Sequence, residues 1–365
     1  MLKNQTVLKI ATLTFALVFA ALPLRAGRTD QQGFERIDLV ADTEGQALDT
    51  DANLLNAWGL VVEPDGKLIV ADNHSDSATF YEPSGKTRRM RLVVDSAPTG
   101  MVMNHSPKDF MIPDGRHLRP SRLLFASEEG TILAWGPELK DFDAVIVADN
   151  SASSAVYKGL ALGRTREGDF LYAADFHNDK VDVYDSDFHW VKSFTDEHVD
   201  AGFAPFNVRN IGGVLLVTFA KQHGPDNEDD EAGPGNGFVD VFDLQGHLVR
   251  MLAAHGALDS PWGLALAPRD FGPFGGALLV GNFGDGRINA FNPLTGEFLG
   301  SCNDADGKSI QIEGLWSLSF RGDAEGDHHE GGDDGSNALY FTAGPGGESH
   351  GALGILVPAG RHPHH

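Results

Sequence analysis

The chain is almost without cysteine: Cys302 is the only one in 365 residues. No disulfide can form within it, so the fold has to be held by packing and hydrogen bonding. A lone Cys in such a chain reads as a small buried side chain rather than a reactive thiol. Basic residues are also scarce, 28 Lys and Arg against 52 Asp and Glu, for a formal net charge of −24. A surface that acidic repels phosphate backbones, which excludes nucleic acid as a partner, and it gathers cations. Long apolar runs are missing except at the start. There Lys3 and Lys9 lead into Ile10 to Leu22, followed by Leu24-Arg25-Ala26. That run is short for a membrane span and reads as an export signal over residues 1–26. The mature chain is therefore expected to be exported, to the periplasm or the medium, without a transmembrane segment. The common catalytic signatures are missing as well: there is no GxSxG, HExxH, CxxC or EF-hand loop. The glycine-rich "GPGNG" and "GNFGDG" precede no helix that could cradle a phosphate. "NDADGK" at Asn303 to Lys308 offers too few oxygens for a calcium loop.

What the chain does have is a repeat. "AWGLVVEP", "PTGMVMN", "YKGLALG", "PFNVRN", "PWGLALAP" and "LWSLSFRG" align on Gly59, Gly100, Gly159, Asn207, Gly263 and Ser317, at intervals of 41 to 59 residues. Each is followed by a second apolar strand, such as "KLIVADN" or "ALLVGNF", and by a third, such as "SATFYEP" or "GRINAFN". With a fourth, such as "RMRLVVD", this is the unit of a β-propeller blade. The sixth unit ends at its third strand, and "FERIDLVAD" (Phe34 to Asp42) supplies a matching strand from the other end of the chain. The expected fold is all-β, a single six-bladed β-propeller of four-stranded blades over residues 27–358. Its last blade is closed by the N-terminal strand Phe34–Asp42, and a short disordered tail follows at 359–365. Closure of this kind removes the open sheet edges.

The phrases "NLLNAWGL", "FASEEGTILAW", "AGPGNGFVDVFD", "LLVGNFGDGRINAFNPLTG" and "IEGLWSLSF" resemble a family of exported bacterial proteins, some of which carry a PEP-CTERM sorting tail. The resemblance runs from about Phe34 to Pro358 and implies a propeller related to the NHL type, without an established activity. This chain ends "AGRHPHH", with no second apolar segment of the kind the tailed members have. More distantly, the strand phrases resemble lactonases of the gluconolactonase type.

In a four-stranded meander the second-to-third turns share one face with the links between blades. That face collects the candidate chemistry. Glu128, Asp175 and His177 could hold a divalent cation, calcium or zinc, which would polarise a carbonyl or activate water. Taken singly, each Asp more often caps its own turn. The lactonase comparison implies a ring of Glu, Asn and Asp ligands, yet the ring here includes Lys158 and Trp262, neither of which suits a cation cage. Asn56, Trp58, Lys158, Asn207, Trp262 and Trp316 read better as a ligand-binding face. Aromatic platforms and amides suit a carbohydrate, a peptide or a protein partner, and Lys158 suits a carboxylate. The alternative for the tryptophans is packing between blades. The functional expectation is an exported binding or scaffold protein acting through its channel mouth. The second reading is a metal-dependent hydrolase or lyase of the lactonase or NHL type.

Overall fold

Apolar runs of five or six residues between turn signals are too short for core helices and form strands buried on both faces. In the first repeat these are Ala57–Val62, Leu68–Asp72 and Ser77–Tyr81, buried throughout, followed by the partly exposed Thr87–Val93. They pair antiparallel in chain order. The structure is a computed structural model and describes residues 33–63, 65–321 and 337–360. The leader at 1–26, the His- and Glu-rich stretch at 327–334 and most of the tail lie outside the described residues.

The next four repeats build the same four-stranded sheet, beginning at Pro98–Met103, Tyr157–Arg164, Phe203–Ile211 and Pro261–Leu266. The sixth blade takes Leu315–Phe320, Leu339–Ala343 and Ala352–Pro358 from the end of the chain. Its fourth strand is Phe34–Ala41, antiparallel to Ala352–Pro358, with Phe34 opposite Pro358 and Ala41 opposite Ala352. The closure expected from the sequence is thus how the ring is joined, one residue shorter than Phe34–Asp42. A two-residue strand, Asp49–Thr50, adds in parallel outside it. The protein is an all-β, six-bladed propeller. Among the described residues there is no α-helix, and no helix long and apolar enough to cross a membrane.

The strand period of two sends alternate side chains to opposite neighbours. Leu60, Val62, Leu68 and Val70 of blade one pack against blade six, whereas Val61, Ile69 and Ala71 pack against blade two. One apolar cluster of this kind fills each space between blades, and a seventh lies on the axis. Cys302 is wholly buried between blades five and six, and burial pushes its thiol pKa up, in line with an inert role. The insertion in blade two folds as a hairpin, Met111–Asp114 with His117–Pro120.

The repeated glycine has a steric cause. A Cβ on Gly159 would lie 2.2 Å from Asn207 Oδ1 and 2.6 Å from Asn207 Cα, and one on Gly59 would lie 2.4 Å from the Thr99 carbonyl oxygen. The innermost strands of successive blades approach so closely there that no side chain fits. Gly159→Ala is expected to destabilise the fold by about 1–3 kcal/mol, the usual cost of overpacking a core. Chemical denaturation measures it, and an unchanged midpoint would contradict the close approach.

Candidate functional site

Near its start, each innermost strand carries one residue more than the strand beside it. The register slips between Ala57 and Leu60, Pro98 and Met101, Tyr157 and Gly159, Pro205 and Asn207, Pro261 and Gly263, and Leu315 and Leu318. A β-bulge of this kind re-aims a side chain that alternation would otherwise send to a neighbouring blade. The six bulges contain Trp58, Thr99, Lys158, Phe206, Trp262 and Trp316. Carbonyls freed from their own ladders are taken up across blades. Thr99 Oγ1 donates to the Tyr157 carbonyl, Thr342 Oγ1 to that of Trp58, and Asn207 Nδ2 to that of Trp262.

The aromatic bulge residues meet on the axis. Trp58 and Trp316 stack with ring centroids 3.6 Å apart, and Trp262 stands edge-on to both, at 6.4 and 5.9 Å. Phe283 covers the Trp316 ring at 4.0 Å, and Phe206 joins at 5.9 Å. The three tryptophans are 1%, 4% and 1% exposed for Trp58, Trp262 and Trp316. They neither pack between blades nor form an open platform; they plug the propeller axis. Beneath the plug is a cavity of about 50 Å³, lined by Gly59, Met101, Leu160 and Trp262 among others. Arg209 also lines it and reaches across the axis, its guanidinium donating to the carbonyls of Leu264 and Leu318 at 2.5 Å each.

A polar network sits on the plug. Lys158 Nζ lies 5.1 Å from the Trp58 ring centroid and donates to Glu128 Oε1 at 2.5 Å. Asn73 Nδ2 donates to Glu128 Oε2 at 2.9 Å. Asn56 Nδ2 donates both to Asn73 Oδ1 and to Glu348 Oε2, at 3.1 and 2.7 Å, while Asn56 Oδ1 accepts from Trp316 Nε1. The blade-four insertion leans over the same point, with Asp229 Oδ1 at 3.8 Å from Lys158 Nζ. Burial opposes the charge on Lys158, but the Glu128 carboxylate, with Asp229 and Glu348 behind it, holds the lysine pKa above its ordinary value. Burial likewise opposes the charge on Glu128, and Lys158 brings its pKa below the ordinary value. Glu348 has no such partner: burial first, and then the Glu128 charge, raise its pKa.

The candidate residues therefore divide. Trp58, Trp262 and Trp316 together form the plug, and Asn56, Lys158 and Glu128 come together over it. Asn207 does not join them, because its amide is committed to the Trp262 carbonyl and to the N–H of Val208. Nor do Glu128, Asp175 and His177 assemble as a cation site. Glu128 faces Lys158, Asp175 accepts from the N–H groups of Asn178 in its own turn and of Val156 in the link before the inner strand, and His177 Nδ1 donates to the Asp226 carbonyl. Among the described residues no three His, Cys, Asp or Glu side chains converge as metal ligands. Thr99, Phe283 and Arg209 are axial residues that the sequence reading does not single out, and Phe206 stands with them. The signal for Thr99 and Phe206 is positional: each immediately precedes the aligned Gly or Asn of its repeat.

The chain is 31% identical over 295 residues to an uncharacterized protein of Acanthamoeba polyphaga mimivirus, covering 77% of this chain and 72% of the relative. A second uncharacterized protein of the same virus is 30% identical over 295 residues, with 77% of each covered. The chain belongs to this family. These two relatives are viral, and affiliation with the exported bacterial family stays a resemblance. No protein-family model matches. Among solved structures, the propeller is similar to a streptogramin B lyase, with a TM-score of 0.51, 10% identity, and 90% and 99% of the two chains covered. It is also similar to a protein of unknown function from Bacteroides thetaiotaomicron, with a TM-score of 0.54, 9% identity, and 89% and 73% covered. At such identities the likeness establishes the fold alone.

The Lys158–Glu128 pair offers a direct check on the mouth. The lysine side chain is 3% exposed and the glutamate 30%. Removing one member of a buried pair strands the other's charge. Glu128→Gln is expected to cost about 2–4 kcal/mol, and Lys158→Met less, because Glu128 still reaches water. The double variant should recover most of the loss in a double-mutant cycle of denaturation. Additive losses would contradict the pairing.

Proposed function

We propose that the chain is a binding propeller that recognises a peptide or protein partner across its channel mouth. The observation that carries this reading is the plug. It closes the axis directly beneath the mouth, so that turns from several blades face outward over it and no deep chamber is left there to enclose a small substrate. The same stacking argues against a sugar ring as the ligand. Lys158 and Trp316 occupy the Trp58 ring, and Trp58 and Phe283 occupy that of Trp316, so neither offers a free flat surface. His177 and Asp175, which a hydrolytic centre would need at the mouth, are engaged with backbone elsewhere. Export, which the basic and apolar segment from Lys3 to Leu22 supports, belongs to the same proposal and puts the partner outside the cytoplasm.

Selection of displayed random peptides on the purified full chain tests it, with Asp229→Arg as the comparison, since Asp229 is 83% exposed and stands over Lys158. Selected peptides should compete with one another and bind the variant about tenfold more weakly. A failure to select mouth-dependent peptides, or turnover of lactones or esters that Glu128→Gln abolishes, would contradict the proposal.

A further inference from the structure

Outside the mouth network, the third strand of blade four, Gly237–Phe242, carries one acid among apolar neighbours. Strand alternation puts Phe238, Asp240 and Phe242 on one side of the sheet, the side that faces blade three. Phe242 meets Phe194, the last residue of the outer strand of blade three, at 4.9 Å between ring centroids. Phe238 meets Phe203, the first residue of the inner strand of blade four, also at 4.9 Å. Asp240 lies between these two contacts, so it faces the link 195–202 that joins Phe194 to Phe203. Its partners along the strand ladder, Val217 and Met251, are both apolar.

Asp240 is wholly buried, and neither of its carboxyl oxygens has a hydrogen-bond donor. On the link, Asp196 is 5% exposed. Its Oδ1 accepts from the His198 N–H and lies 2.7 Å from His198 Nδ1, whereas its Oδ2 is buried without a donor. The other charged groups nearby are turned elsewhere. Lys192 donates to the Gln245 carbonyl, Arg250 to that of Pro293, and Asp200 lies 3.5 Å from His255. Asp179 accepts from Thr195 at 3.3 Å, and Glu197 is exposed. Two ionised carboxylates with three buried oxygens and no donor for them would be costly. A single proton turns one of them into a donor and leaves the other its acceptor.

We propose that Asp240 is held protonated at neutral pH and donates to Asp196, and that this shared proton latches the link 195–202 onto blade four. Burial and the Asp196 charge push the Asp240 pKa up to about 8. Burial opposes the charge on Asp196, but hydrogen bonds from His198 and Asp240 bring its pKa below the ordinary value. The native state thus keeps a proton that the unfolded chain releases above its ordinary 3.8. The stability this gives is full below about pH 4 and is lost by about pH 8. The latch sits beside the mouth. Gly202, at the end of the link, accepts from the Gln222 N–H at 2.8 Å, and His255 joins Asp200 to the Gly235 carbonyl. Gln222 and Gly235 bracket the insertion that carries Asp229, so ionisation of Asp240 loosens a support of that loop. The latch does not depend on what the mouth binds.

Denaturation of the full chain across pH tests this, with Asp240→Asn as the comparison, because the new amide can donate to Asp196 at any pH. The parent should lose stability relative to the variant as pH rises from about 4 to about 8, by up to about tenfold in the folding equilibrium per pH unit, and no further above that. Asp179, which burial raises to about 6, is common to both chains and drops out of the difference. At about pH 9 the His198 and Val199 amides should exchange with solvent about tenfold faster in the parent than in the variant, and at about pH 5 equally fast. If Asp240→Asn does not fold, carboxyl NMR of isotope-labelled aspartates in the parent reads the same claim: the Asp240 carboxyl should titrate at about 8. A stability difference that does not change with pH, link amides that exchange alike in both chains at about pH 9, or an Asp240 carboxyl that titrates at about 4 would each overturn the inference.

Discussion

The bulge at the start of each innermost strand is the constraint on which the rest of the molecule depends. Strict alternation would send Trp58, Lys158, Phe206, Trp262 and Trp316 into the spaces between blades, which are already filled by the aliphatic faces of neighbouring sheets. One extra residue per strand turns these side chains toward the axis instead. Their freed carbonyls then need donors, and Thr99, Asn207 and Thr342 supply them from adjacent blades. The same step brings successive inner strands so close that glycine is required at Gly59 and Gly159. Axial plug, cross-blade bonds and recurrent glycine are three consequences of one backbone irregularity.

Most of the fold was legible in the sequence, because it is written in short apolar runs and their spacing. Six repeats and a strand left over at the start leave a closed ring as the economical solution, and Phe34–Ala41 completes it. The site was legible only in part. The aligned phrases mark where Trp58, Lys158, Trp262 and Trp316 stand along the chain, but the direction of each depends on a bulge that a period-two reading does not register. The sequence leaves packing between blades and an open rim as alternatives, whereas the rings pack against one another on the axis. Lys158 stood out as an isolated cation in an acidic chain. Its pairing with Glu128, on a turn of the preceding blade, is a matter of three-dimensional placement. Asp175 is the converse case: a carboxylate at a promising turn accepts from Asn178 N–H in that turn and from Val156 N–H in the link before the inner strand.

The plug also limits how far a ligand could enter from the mouth. An open propeller channel can draw a ligand down to the level of the inner strands. Here stacked indoles close that route, and over them Asn56, Asn73 and Lys158 are themselves buried in one hydrogen-bonded layer with Glu128 and Glu348. Family membership does not alter this, since the viral relatives bring no activity with them, and the solved propellers share architecture alone.

Exchange of the indole N–H protons, followed by NMR, tests the central claim most directly. Trp190 is 56% exposed on an outer strand and serves as the reference. A closed plug predicts that the signals of Trp58, Trp262 and Trp316 outlast that of Trp190, because their exchange requires the ring of blades to open. Exchange of these three at the rate of Trp190 would show an open axis and contradict the account.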